Sequence, residues 1–91
     1  MTIYRIVTYD RATERMVANL PIPWTFVAKI RKIAGVTPFD DGMGEHQLTD
    51  AQVRRIAQIL HFKPETELFF YYLEPFNQSD GGLRQEGARP V

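Results

Sequence analysis

The feature that most constrains this chain is an unbroken run of six large apolar or aromatic residues, Leu68-Phe69-Phe70-Tyr71-Tyr72-Leu73. A strand with one face on a core and one in water alternates apolar and polar residues, and this run does not alternate. Its aromatic content and the proline at position 75 favour a strand over a short buried helix. Either the fold covers both faces of this strand, or a second molecule covers one. The second option has weight because a chain of 91 residues has little protein to spare.

Two earlier segments also predict strands. Residues 2–9 are rich in β-branched and aromatic side chains, and residues 15–20 follow after a short polar stretch. Five residues between two strands favour an antiparallel hairpin. Asp10 at the start of this connection can fold its carboxylate back onto the backbone amides of the turn.

Two helices are predicted in the middle of the chain. Residues 23–34 carry apolar side chains at helical spacing and stop at a glycine, which is typical of a helix end. Residues 50–61 continue a second apolar stripe. Thr49 and Gln52 have the spacing of a capping box at its start, and Leu48 and Val53 occupy the positions of a hydrophobic staple.

The predicted fold is therefore an α+β domain with the order ββααβ, in which two helices pack on one face of a three-stranded sheet. This domain spans residues 1–76, with a loop over residues 36–47. Residues 77–91 are polar and glycine-rich without periodicity, and they predict a flexible tail.

Two helices cover one face of such a sheet, which leaves the second face to explain. In the last strand, alternate residues point to opposite faces, so helices on one side leave several aromatic rings on the other. Aromatic residues are enriched at protein interfaces, and a closed two-fold dimer is the usual form of self-association. The candidate partner-binding residues are Trp24, Phe69, Tyr71, Tyr72 and Leu73. For Trp24, a partly buried lid on the core is the competing interpretation.

Charge divides the chain unevenly although the formal net charge is zero. Residues 1–35 hold six basic and two acidic residues, and residues 36–80 hold three basic and eight acidic ones. Either the two halves neutralise each other within the fold, or they make a polarised surface that pairs with a partner. The lack of a basic excess argues against nucleic-acid binding. The aromatic run is also flanked by Glu65, Glu67 and Glu74, which would repel phosphate.

No set of residues in the sequence predicts catalysis. The chain has no cysteine, and its one serine, Ser79, lies in the predicted tail. Of the two histidines, His61 follows the second helix, where an end-of-helix role is the simpler interpretation. We therefore predict a protein that is not an enzyme, with no catalytic residues and no cofactor.

One alternative is binding of a divalent metal or small ligand by the loop of residues 40–46, which contains three carboxylates and His46. Its spacing does not match a calcium loop or a helical zinc site. A solvated glycine-rich turn explains the same residues, so no metal ligands are predicted.

A cytoplasmic location is predicted from three sequence properties. The N-terminal segment is short, charged and alternating, unlike a secretory signal. No apolar run reaches the length that spans a bilayer, and cysteine is lacking.

The chain resembles small bacterial domains of unknown function over residues 2–75. These begin with a strand that ends in an aromatic-Asp pair with a nearby Thr-Glu, and they continue with a Leu-Pro, a Thr-x-x-Gln helix start and an aromatic-Leu-Glu finish. The matching residues here are Tyr9-Asp10, Thr13-Glu14, Leu20-Pro21, Thr49 with Gln52, and Tyr72-Leu73-Glu74. The resemblance implies no activity and no functional residues. Such domains often act as partners of other proteins, including toxin-neutralising immunity proteins, and protein association is the function predicted here.

Overall fold

The computed structural model describes residues 2–36 and 44–77 of the chain. Its elements are β1 (Thr2–Asp10), β2 (Met16–Pro21), α1 (Trp24–Ala34), β3 (His46–Gln47), α2 (Asp50–Leu60) and β4 (Phe69–Asn77). The strands form one antiparallel sheet in the order β2-β1-β4-β3. The predicted α+β class and both helices are confirmed, and residues 78–91 of the predicted tail lie outside the described part.

The sheet differs from the prediction by one short strand. β3 lies inside the segment predicted as a loop, and its two residues pair with Leu73 and Tyr72 of β4. Two residues are too few to show an alternating pattern, so the sequence does not indicate this strand. It forms against the backbone groups that β4 presents on the side away from β1. The observed order is therefore ββαβαβ, where three strands and ββααβ were expected.

The last strand also continues through Pro75, which follows the apolar run and would be expected to end a strand. Pro75 pairs with Tyr4 of β1, and the Tyr4 carbonyl accepts a hydrogen bond from the Ile22 amide at 2.9 Å. The backbone N–H and C=O of Tyr4 therefore point toward β2, which makes Tyr4 and Pro75 a non-hydrogen-bonded pair. The nitrogen of Pro75 faces away from β1, where no N–H is required. β3 pairs with β4 at residues 72–73 and does not reach this position. A proline is tolerated there because no ladder bond of the described residues needs its amide.

The second helix begins as the capping box predicts. The Thr49 amide donates to Gln52 Oε1 at 2.8 Å, and the Gln52 amide donates to Thr49 Oγ1 at 3.2 Å. The Gln52 Nε2 group also donates to the Ile33 carbonyl at 3.1 Å, which joins the start of α2 to the end of α1. α1 ends at Gly35 with φ 82°, as its sequence predicts, and α2 ends at His61, which has φ 62°.

The core lies between the two helices and one face of the sheet. Tyr4, Ile6, Tyr71 and Leu73 supply the sheet side of it. The helices and their flanking segments supply Ile22, Ile30, Val36, Leu48, Val53 and Ile56. In residues 2–36 and 44–77, no helix is long and apolar enough to cross a membrane.

Candidate functional site

The structure places two of the predicted partner-binding residues inside the core. Tyr71 is 5% exposed and Leu73 is 1% exposed. Phe69 points to the same face, is half-buried, and meets the Tyr71 ring edge-on at 6.4 Å between centroids. The proposed surface is corrected here, because alternate residues of β4 lie beneath the helices and Tyr71 and Leu73 are not accessible to a partner.

The other two predicted residues are accessible but lie apart from this set. Tyr72 is half-buried on the face of the sheet that the helices leave open. Trp24 begins α1 and is 84% exposed, so it is not a lid on the core of this chain. Leu68 precedes β4 in a turn and is exposed. The structure therefore does not bring the five predicted residues together into one surface.

Long side chains cover the open face of the sheet themselves. Val7 points to this face and is 0% exposed, although the helices lie on the other side. The Tyr9 hydroxyl donates to Glu74 Oε2 at 2.8 Å, and the Tyr9 and Tyr72 rings meet edge-on at 5.4 Å. Arg5 donates to Asn19 Oδ1 at 3.0 Å. The aromatic rings of this face are thus partly enclosed by their own neighbours.

Burial on the open face of the sheet raises the pKa values of two side chains, Tyr9 and Glu74. The pKa of Tyr9 is raised, first by burial of the hydroxyl and then by its hydrogen bond and charge interaction with Glu74. The pKa of Glu74 is also raised, because its burial outweighs the stabilising bond from Tyr9, and the charge of Glu45 adds to the rise.

A pocket of about 400 Å³ opens on this face beside Tyr9 and Tyr72. Its lining residues are Tyr9, Glu14, Glu45, Gln47, Phe70 and Tyr72. The rings come from β1 and β4, and the two carboxylates come from the β1–β2 turn and from the residue before β3. The pocket therefore combines aromatic walls with negative charge.

Apart from Leu68, the exposed large apolar residues of the described chain lie in β2 and in the first turn of α1. Met16 and Val17 are about half exposed, and Leu20 and Phe26 are more than one third exposed. β2 is the edge strand of the sheet, and its outer side pairs with no strand of the described residues. Residues 16–21 contain no charged side chain. An uncharged edge with exposed apolar side chains is a template for another strand.

A groove of about 520 Å³ lies beside this edge on the helix-facing side of the sheet. Its floor is formed by β1 and β4, and β2 forms one wall. The segment that follows α2 contributes Phe62, Lys63 and Glu65. The helices cover the middle of the sheet and leave β2 with both faces accessible.

The described residues contain no group of three or more His, Asp or Glu side chains placed to hold a metal ion. Residues 40–43 of the predicted acidic loop lie outside the described part. His46 belongs to β3 and shares the helix-facing side with Leu73. Metal or small-ligand binding by residues 40–46 therefore stays an untested alternative.

The exposed residues of β2 were missed because the apolar run near the end of the chain carries the stronger hydrophobic signal. A second signal was present, since residues 16–20 of the predicted strand 15–20 carry no charge and Pro21 follows them directly. Edge strands are where proline is tolerated in sheets. Reading these two facts together would have indicated β2 as the free edge.

A family model described as a domain of unknown function, DUF7683, matches residues 3–74. No curated protein and no solved structure gives a significant match to the chain.

Proposed function

The chain belongs to the DUF7683 family, and because the function of that family is unknown we propose one from the surface of this member. We propose that it is a small protein that acts by protein–protein association rather than catalysis, and that its contact surface is the β2 edge together with Trp24. The favoured partner is a second copy of the chain. The observation that carries the proposal is the uncharged edge strand Met16–Pro21, which is exposed on both faces.

The backbone of β2 has hydrogen-bonding groups to offer a partner strand. The Ile22 amide bonds to the Tyr4 carbonyl, and in an antiparallel pair the bonded positions alternate along the strand. Leu20, which pairs with Ile6, is therefore bonded to β1, and Asn19 turns its amide and carbonyl outward. Pro21 faces outward as well, where its lack of an amide costs no bond to β1.

The side chains of β2 favour a copy of itself as the partner. Edge strands are commonly protected by lysine or other charges, and β2 has none. When two copies of β2 pair antiparallel about a two-fold axis, no like charges from residues 16–21 face each other. Such a pair would join two four-stranded sheets into one continuous sheet.

The exposed apolar area in this region is large enough for a weak dimer. Trp24 adds the largest exposed apolar side chain to those of Met16, Val17, Leu20 and Phe26. Since a large aromatic side chain can bury about 150–250 Å², the five side chains offer roughly 500 Å² per copy. Two copies together would bury roughly 1,000 Å², which is about the minimum for a biological interface and falls in the range of weak, reversible association.

Sedimentation equilibrium from micromolar to millimolar concentration tests this proposal. We expect a reversible dimer for the unchanged chain and at least tenfold weaker association for Val17→Lys, because the ammonium group would be buried against the partner strand. Gln58→Lys is the matched control, since Gln58 is exposed on α2 and this substitution adds the same positive charge away from β2. A monomer at every concentration, or equal association of both variants, would refute the proposal.

A further inference from the structure

Arginine side chains stack on two rings of the open sheet face. The guanidinium carbon of Arg5 lies 4.9 Å from the centroid of Phe76, and that of Arg11 lies 4.2 Å from the centroid of Phe70. Both distances are within the range in which a cation is attracted to the face of a ring. The open face thus already uses cation–ring contacts as part of its packing.

Two further rings of this face have no such contact. In residues 2–36 and 44–77, no arginine or lysine stacks on Tyr9 or Tyr72, although these rings form a perpendicular corner. This corner borders the pocket of about 400 Å³ described above. Phe70, which carries Arg11, extends the aromatic wall.

Negative charge surrounds the same corner. Glu14 and Glu45 line the pocket, and within the described ranges neither forms an ion pair or a hydrogen bond through its carboxylate. Glu74 accepts a hydrogen bond from the Tyr9 hydroxyl. The raised pKa of Glu74 reflects its burial and the nearby charge of Glu45, which agrees with an uncompensated negative field.

We propose that this pocket binds an organic cation, a guanidinium or an alkylammonium group. The Tyr9 and Tyr72 rings would contact its flat or methylated surface, and Glu45 would supply the opposite charge. A divalent metal fits the lining less well, because calcium takes six to eight oxygen ligands and the pocket offers two carboxylates and one amide. The site lies on the face opposite the helices and does not depend on the proposed pairing of β2.

The cation could come from the side chain of a basic protein segment or from a free quaternary amine, and both present the same chemistry to the rings. Two probes separate these sources: N-acetyl-arginine amide for the side chain and tetramethylammonium chloride for the free amine. Ring resonances of Tyr9 and Tyr72 report binding in a nuclear magnetic resonance titration of the full chain. Sodium chloride at equal ionic strength serves as the reference for nonspecific charge effects.

We expect saturable shifts of these ring resonances with at least one probe, and the probe that binds more tightly identifies the source. Glu45→Gln should weaken binding at least fivefold, whereas Glu67→Gln, which removes the same charge from an exposed site outside the pocket, should leave it unchanged. Tyr72→Leu should weaken it similarly, with Phe76→Leu as the control from the same face. Failure of both probes to shift these rings beyond the sodium chloride reference, or equal binding by Glu45→Gln and Glu67→Gln, would overturn the proposal.

Discussion

Two strands of this sheet, β4 and β2, differ in how far the chain covers their apolar residues. β4 contains five residues of the apolar run, and all five are buried or half-buried in the chain. β2 has no such run, because Asn19 interrupts its apolar residues, and Asn19 is its one half-buried residue while the other five are exposed. The difference is positional, because β4 has strand neighbours on both sides at Tyr72 and Leu73, whereas β2 has one neighbour.

In this chain the continuous apolar run marks the middle of the sheet and not its exposed edge. The helices cover one face of β4, and long side chains of β1 and β4 cover much of the other. At β2 neither the helices nor the side chains of neighbouring strands cover a face completely. A partner is therefore better sought at the edge strand than at the most hydrophobic one.

The difference in burial between β4 and β2 should appear most strongly in the free energy of unfolding. Leu73→Ala removes a fully buried side chain of β4 and should cost about 2–5 kcal/mol. Leu20→Ala makes the same chemical change in exposed β2 and should cost less than about 1 kcal/mol, because little area is lost from the core. Urea unfolding of dilute protein measures both losses of stability, and equal losses would contradict the difference in burial between the two strands.

A smaller effect tests the helix that covers β4. Thr49→Ala removes the hydroxyl that accepts the Gln52 amide and should lower stability by about 1 kcal/mol. Thr49→Ser keeps this acceptor and should behave nearly as the unchanged chain does. Thermal unfolding of the two variants provides the measurement, and a Ser variant as unstable as the Ala variant would argue against the cap.

The smallest expected effect concerns the side-chain layer over the open face. Because the pKa of Glu74 is raised in the folded chain, the folded state holds its proton more strongly than the unfolded state does. The contribution of Glu74 to stability is therefore greatest at pH below the ordinary carboxyl pKa, and it falls as pH rises through the raised value.

Glu74→Gln keeps an oxygen for the Tyr9 hydroxyl and removes the buried charge. We expect a small gain in melting temperature at pH 7 that disappears near pH 4, measured by circular dichroism. Glu67→Gln, at an exposed site, should show no such pH dependence. A gain of equal size at both pH values would contradict the role given to burial.

Much of the fold was predictable because its signals are local. The capping box at Thr49 and Gln52 sets the start of α2, and Gly35 sets the end of α1. The Asp10 carboxylate accepts the Ala12 and Thr13 amides, as its position in the turn suggested. At Thr49, Gln52 and Asp10 a side chain bonds to backbone no more than three residues away, and Gly35 acts through its own backbone angle. None of these signals depends on the rest of the fold.

The features that were not predicted depend on pairing between distant segments. β3 exists because β4 offers it backbone partners, and two residues carry no pattern of their own. The burial of Tyr71 and Leu73 was not foreseen for the same reason, since the order of strands decides whether Tyr71 or Val17 is exposed. The bond between Tyr9 and Glu74 joins residues 65 positions apart, which no spacing rule reveals.

The side chain of Gln52 makes its two hydrogen bonds through different atoms, and this restricts what residue 52 can be. Its oxygen closes the cap of α2, while its nitrogen reaches the carbonyl of Ile33 in the other helix. A glutamate would serve the cap equally well but has no proton for Ile33 when ionised. The primary amide therefore links the first turn of α2 to the last turn of α1, so that a substitution at residue 52 disturbs the cap and the contact between the helices together.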